Sequence, residues 1–477
     1  MRKILFSILL ILFAWNAGAA TWYAQVDPTN GATKICYGTT SHATACAANS
    51  NKTFANLFTA LTAADTIELS GGASGATYGQ TLAPTKACTI RPSTSSGHNG
   101  MVTIGPAASS AASLLVNAVS NVTVSGPMTI EGYNGYGNGS ALITGTVSNV
   151  VWDGLIIKNN YAFLTARAIY ISATGANSTG NAIKNCTVLN PTWVDTLTAE
   201  GISLSAAHGW AIRNNSIGGI SSRFNSGVLL NNSNNNRIYE NKVYYSWNGV
   251  DYPDGIGTGI SAAGTSTKNL IYRNTLENNH RGIGIWGSSG GNVISYNLVK
   301  FSAVNGIDHL GTNTTLNEIY NNTVIHTPNA AAGHGISQQV GVGKVIIKNN
   351  IVYGVSAHSE ANTVSVGTSG QAGVVLDMDN NLYYATGGMT TACLSSSNCT
   401  STLATWQSKI VTDGRSAPGI DLNTIFADPL FVDYANGNYH LQAGSPARGA
   451  GVSVGLVHLD PPDIGAFPYV QSLPWKH

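Results

Sequence analysis

The sequence predicts a parallel β-helix of about eleven coils, and three observations carry that reading. First, Asn recurs in one setting, with an apolar or aromatic residue two places on, at Asn215, Asn241, Asn274, Asn297, Asn322, Asn350 and Asn381. The gaps are 26, 33, 23, 25, 28 and 31 residues. Second, a Gly followed by Ile or Val precedes each of the first six of these Asn: Gly201, Gly227, Gly259, Gly282, Gly306 and Gly335, at distances of 14, 14, 15, 15, 16 and 15 residues. Third, the runs around them, such as NRIYENKVYY and NEIYNNTVIH, are β-branched, roughly alternating, and bounded by Asn, Gly and Ser. A period of 20–50 residues is that of a solenoid or array. The repeats are too short for a four-stranded propeller blade and hold no apolar face long enough for paired helices. One coil per repeat, with strands stacked ~4.8 Å from coil to coil, fits. The recurrent Asn then stack as an amide ladder.

Composition agrees. The chain has 477 residues, 54 of them Gly, a formal net charge of +1 and only 9% charged residues. That is a neutral, turn-rich, β-type balance. It lacks the basic face that nucleic acid requires.

In chain order, residues 1–20 read as an export signal. Arg2 and Lys3 precede an apolar run over 4–15, and Ala17, Ala19 and Ala20 supply a small-residue cleavage site. About 12 apolar residues are too few to span a bilayer, so no membrane span is expected after cleavage. The expected location is secreted, periplasmic or cell-surface. Residues 21–65 read as an N-terminal strand, loop and cap. TWYAQVD (21–27) is strand-like, and the apolar spacing within 52–64 is helical. A helix there would cover the open end of the first coil, since solenoids need caps.

Residues 66–388 form the predicted rod, regular between about 66 and 190. Counting backwards by the local apolar pattern, the Asn column continues through Cys186, Gly154, Gly126 and Cys88. Eleven such positions make a rod on the order of 50 Å long. Of six cysteines, Cys36 with Cys46 and Cys393 with Cys399 each close a short polar loop and are expected to pair. Cys88 and Cys186 stand three register steps apart, roughly 14 Å. That exceeds the ~7 Å a disulfide allows, so both are expected as buried thiols.

Residues 389–477 read as a C-terminal insertion and cap. LATWQSKI (403–410) is a helix candidate, followed by FADPLFVDYANGNYHLQAGSPARGAG (426–451) and DIGAF (463–467). This run resembles the terminal segment of many secreted bacterial right-handed parallel β-helix proteins of the pectate-lyase-like superfamily. The resemblance covers about 65 residues, 403–467. It implies a right-handed helix. It also implies an activity among those of the family, which includes polysaccharide lyases, uronan epimerases and glycoside hydrolases. A fold family does not choose among them.

Candidate chemistry follows from register. If Ile307 points inward, Asp308 points outward. Asp308 is the one acidic residue in an outward row otherwise made of Ser203, Leu229, Ser261, Gly284 and Ser337. The row just before the Gly holds Arg281, Asn305 and His334, so these side chains and Asp308 should fall on adjacent coils, with His280 beside them. The loop 244–258 contributes Trp247, Tyr252 and Asp254. A lyase neutralises a uronate carboxylate and removes the proton beside it. Arg281, His280, Lys300 or Asn305 suit the first task and His334 or a Lys the second. A hydrolase needs a carboxyl pair, and Asp254 with Asp308 are the candidates. Trp247 and Tyr252 are candidates for stacking on sugar or, equally, for local packing. Calcium is a candidate ion where Asp251, Asp254 and Glu277 approach, although no regular calcium-loop spacing occurs.

Gly333, His334 and Gly335 are similar to the Gly-His-Gly of polygalacturonases. The Asp-Asp pair and Arg-Ile-Lys run of that family are absent, as is the Arg-x-Pro-x-x-Arg of pectate lyases. Plain alternatives stand beside these roles: Asp308 as an acceptor for turn amides, His334 as an exposed loop residue, and His309 as an inward, hydrogen-bonded histidine. Two functions remain open. One is an enzyme cleaving or modifying a polysaccharide or oligosaccharide. The other is a non-catalytic carbohydrate-binding or surface-attachment rod. The low charge count argues against a strongly polyanionic substrate, and a monomer is expected.

Overall fold

A computed structural model describes residues 19–48, 50–105, 112–132, 140–158, 167–172, 179–189, 200–219, 226–245, 258–312, 315–326, 333–338, 344–355, 362–366, 375–387, 389–394, 398–412, 421–455 and 463–467. The strands wind into a right-handed parallel β-helix. A representative coil runs through Leu270–Tyr272, Thr275–Glu277 and Arg281–Gly287. These three strands lie on what we call the first, second and third faces. Each pairs in parallel with the equivalent strand of the next coil: Ile271 with Ile294, Leu276 with Val299, and Ile283 with Ile307. All six of these side chains are buried, and they form part of one continuous apolar interior.

The corner between the first and second faces explains the Asn motif. The residue before each ladder position takes a left-handed conformation: Asn185, Asn214, Glu240, Arg273, Tyr296, Asn321, Asn349 and Asn380, with φ between 52° and 59°. That turn swings the following Asn into the interior. Each ladder amide then donates from Nδ2 to the next Oδ1: Asn215 to Asn241 at 2.9 Å, Asn241 to Asn274 and Asn274 to Asn297 at 3.0 Å. The line continues through Asn297, Asn322 and Asn350 to Asn381 at 3.0–3.1 Å. Asn274 also donates to the Ile238 carbonyl at 2.8 Å and accepts the Asn241 backbone N–H at 3.0 Å. Asn274→Leu therefore strands a buried donor and a buried acceptor. The expected loss is at least ~1–3 kcal/mol, read as a lower denaturation midpoint; an unchanged midpoint would refute a supporting role for the ladder.

A second ladder, not anticipated from the sequence, lines the corner leading into the first face. It runs Asn236, Asn269, Asn292, Asn317, with Nδ2–Oδ1 distances of 3.1, 3.0 and 3.2 Å. Asn181 holds the same place earlier in the rod, accepting the Val150 N–H at 2.8 Å.

Several expectations need correction. Eight coils, from Ala182–Lys184 to Thr390–Cys393, carry a separate strand on each face, so eleven regular coils is too many. The coils before them are the less regular ones. There, Val122–Glu131 and Val150–Lys158 run through the corner as single strands, with a register shift between Asp153 and Leu155. That shift displaced the backward count. Leu155 pairs with Met128, so Gly154 and Gly126 are not the ladder positions. Cys88 pairs with Val122 on the first face, whereas Cys186 donates its N–H to Asn215 Oδ1 and does sit on the ladder. Both are buried free thiols, pushed up to about 12 by burial. Cys36 is joined to Cys46 and Cys393 to Cys399.

At the N-terminal end, helices α1 (His42–Ala48) and α2 (Phe54–Ala60) precede the rod. Phe54, Leu57 and Phe58 of α2 join the apolar interior. Thr53 and Asn56 close a capping box at its start. At the other end the rod continues past residue 388, since Thr390–Cys393 pairs with Asn362–Val366. Helix α3 (Leu403–Thr412) then buries Trp406 and Ile410 in the interior.

The described tail beyond α3 packs against the side of the rod. It runs back along the outside of the second face as a strap. Phe431, Tyr439, Leu441, Ala447 and Ile464 cover the outward side chains Leu298, Ile325, Ile351 and Leu382. Corner asparagines fasten it. Asn321 Nδ2 donates to the Asp463 carbonyl at 3.1 Å, Asn349 to Val452 at 2.7 Å and Asn380 to Ala450 at 2.9 Å.

Candidate functional site

The third face brings the central candidates together. Arg281 lies opposite Asn305, and Asn305 opposite His334, on three adjacent coils. Gly284, Asp308 and Ser337 form the next outward row. The Gly column builds this arrangement. A Cβ on Gly306 would lie 2.5 Å from Val324 Cγ1 and closer still to the Gly335 carbonyl oxygen. Only Gly lets the chain turn inward there, so that Ile307 reaches the core while the residue before the Gly stays at the loop mouth.

Asp308 faces outward yet has no exposed surface. Gly284 offers no side chain beside it, and the Trp286 indole nitrogen folds into that space. The Arg281 guanidinium lies 5.0 Å over the Trp286 ring, with Nε 3.0 Å from Asp308 Oδ2. Burial raises the Asp308 carboxyl above its ordinary value, while Asn305, Arg281 and Ser337 act in the opposite direction. A buried carboxylate needs such partners to stay charged. The Arg281 guanidinium and the Trp286 indole therefore stand beside a fully buried carboxyl group, where the sequence predicts an open one.

The other candidates divide. Asn305 is fully buried and accepts the His334 backbone N–H at 3.0 Å, so it ties two coils together. His334 and His280 are half-buried at the loop edge. Lys300 is engaged elsewhere: its Nζ lies 3.1 Å from Glu277 Oε2 at the end of the second face. His309 points inward, with Nε2 2.9 Å from Asn317 Nδ2 at the end of the second ladder. Trp247, Tyr252 and Asp254, with the loop wall they were to form, lie outside the described residues.

Ser337, Trp286 and His326 escaped the sequence reading as site residues. Ser337 and Trp286 sit at outward positions by simple alternation, which is a usable signal once Ile283 and Ile336 are placed inward. His326 is fully buried, and desolvation lowers it to about 3, opposed by the Gly333 backbone. It is neutral at any ordinary pH.

No family model and no curated protein matches the chain. Solved structures do. A double mutant of the periplasmic alginate epimerase AlgG is 13% identical, with a TM-score of 0.46, covering 69% of this chain and 73% of its own. The pectate lyase Pel9A is 14% identical, with a TM-score of 0.44, over 95% and 98%. A surface adhesin of Streptococcus pneumoniae is 11% identical, with a TM-score of 0.38, over 70% and 80%. The likeness is one of fold. The chain is a parallel β-helix protein.

On this β-helix, Asp251 and Asp254 of the calcium candidate lie outside the described residues, and Glu277 is held by Lys300. Among the described residues no three His, Cys, Asp or Glu side chains gather as a metal site. Nor is any described helix long and apolar enough to cross a membrane.

Proposed function

We propose that the β-helix cleaves a uronate-containing polysaccharide by β-elimination, on the third face at Arg281, Asp308 and His334. The observation that supports this most is the Arg281–Asp308 pair at 3.0 Å, one coil from His334. Asp308 lies beside Nε and the guanidinium carbon stands 5.0 Å from the Trp286 ring centre, and the terminal nitrogens are the groups we assign to a substrate carboxylate. Arginine favours such bidentate geometry. Neutralising the uronate makes the adjacent C5 proton more acidic, and His334 is the base that takes it. The C4–O bond then breaks, a C4=C5 double bond forms, and the departing oxygen is protonated by water. Asp308 positions Arg281 in this scheme. Export, expected from residues 1–20, suits a polymer that does not enter the cell.

Hydrolysis would require Asp254 near Asp308, at roughly 6.5–9.5 Å if inverting or about 5–5.5 Å if retaining. The complete burial of Asp308 weighs against its acting as one of that pair. The same burial favours a second reading, in which the cluster stiffens a carbohydrate-binding rod without turnover. A panel of uronate-containing and neutral polysaccharides decides. Elimination raises ultraviolet absorbance and reducing ends together. Hydrolysis raises reducing ends alone, and a binding rod retains a polymer with neither signal.

A further inference from the structure

The left-handed corner column reads Asn185, Asn214, Glu240, Arg273, Tyr296, Asn321, Asn349 and Asn380. Asn tolerates this conformation because its short side chain bonds locally, whereas other residues bear a cost of about 1–2 kcal/mol. Asn321, Asn349 and Asn380 fasten the strap. Glu240, Arg273 and Tyr296 depart from Asn on three consecutive coils, at φ 57°, 55° and 57°. Strained positions of this kind concentrate where function requires a particular side chain.

The Tyr296 coil carries the end of the strap, at Leu298, and the Glu240 and Arg273 coils lie beyond it. There Phe467 of the strap and Arg273, Thr275, Tyr296 and Leu298 of the rod line a cavity of about 420 Å³. That is within the size range of small-molecule sites. Leu298 and Phe467 supply an apolar wall, Thr275 and Tyr296 hydroxyls, and Arg273 a cation. The Arg273 Nη1–Glu240 Oε1 distance is 3.8 Å, with the side chains 60% and 40% exposed. So loose a surface pair contributes little, and a ligand carboxylate can displace it. An apolar wall, two hydroxyls and an exchangeable guanidinium match a sugar ring bearing a carboxylate.

We propose that this cavity binds an acidic sugar residue and so retains a saccharide chain at a place separate from the third-face cluster. The proposal rests in part on the polysaccharide reading above, and its test is independent of turnover. Galacturonic acid, which has no glycosidic bond to cleave, is titrated calorimetrically into the wild-type protein, Arg273→Gln, Glu240→Gln and Asp308→Asn. Galactose and inorganic phosphate serve as comparison ligands. Arg273→Gln is expected to weaken galacturonate binding at least about tenfold, as loss of a charge-assisted bond does. Glu240→Gln, which removes the competing carboxylate, is expected to tighten it by about threefold. Asp308→Asn, which acts on the third-face cluster, should leave the Arg273-dependent component of binding in place. Wild-type affinity in Arg273→Gln, or equal affinity for galactose or phosphate, would overturn the assignment. Loss of binding in Asp308→Asn alone would place the sugar on the third face and overturn it as well. Failure of the elimination assay would leave this titration to stand on its own result.

Discussion

Gly306→Ala should unfold the middle of the rod more effectively than any loss of a single hydrogen bond. The new methyl group would overlap the Gly335 carbonyl oxygen of the next coil and reach within 2.5 Å of Val324 Cγ1. Neither atom can swing aside. One is backbone in a parallel ladder, and the other belongs to a fully buried side chain. Relief therefore requires adjacent coils to move apart, which breaks the pairing of Ile307 with Ile336. Overpacking of this kind costs typically 1–3 kcal/mol and occasionally more, and a rigid backbone neighbour puts this site at the upper end. The expected readout is a clear fall in the thermal and denaturant midpoints, or insoluble protein. A variant as stable as the wild type would show that the coils can separate there. Gly444→Ala, where no atom lies within 4 Å of the added carbon, is the control.

In an active preparation, Asp308→Asn and His334→Ala are each expected to reduce turnover by at least about 10², the lower end for general acid–base groups. They should do so for different reasons. Asp308→Asn keeps the volume of a buried side chain but turns the carboxyl group 3.0 Å from Arg281 Nε into an amide. Its defect should therefore include weaker binding of the uronate, seen as a raised KM. His334→Ala removes the base while Asn305 still accepts the backbone N–H of residue 334, so its defect should fall on kcat. Circular dichroism should be unchanged in both. Full activity in both variants would take the cluster out of the mechanism.

The rod was legible because its constraints repeat. Each Asn of the ladder between the first and second faces answers the same need, an inward amide bonding its neighbours, and Gly201, Gly282 and Gly306 each avoid the carbonyl of the next Gly in the column. The other Asn ladder carried an equal signal that the reading passed over: Asn236, Asn269, Asn292 and Asn317 each stand five residues before a ladder Asn already recognised. Cys88 went to the wrong column because apolar alternation continues unchanged through a corner that two strands pass without breaking. The cluster was only partly legible. Strand alternation identifies Asp308 as outward but not what lies on top of it. The Trp286 indole nitrogen fills the space over Gly284 on the neighbouring coil, a side-chain conformation that no spacing encodes. The Lys300–Glu277 pair was readable in principle, since the two residues hold equivalent places on consecutive coils.

The strap also acts as a ruler. Its attachments at Asn321, Asn349 and Asn380, and its apolar contacts from Leu298 to Leu382, fall on consecutive coils. Insertion or loss of one coil within that span would shift every later attachment by one strand spacing, ~4.8 Å, with no partner at the new position. Coils before Leu298 carry no such bookkeeping. Lineages related to this protein should therefore vary in length on the N-terminal side of the strap and hold the number of coils beneath it constant.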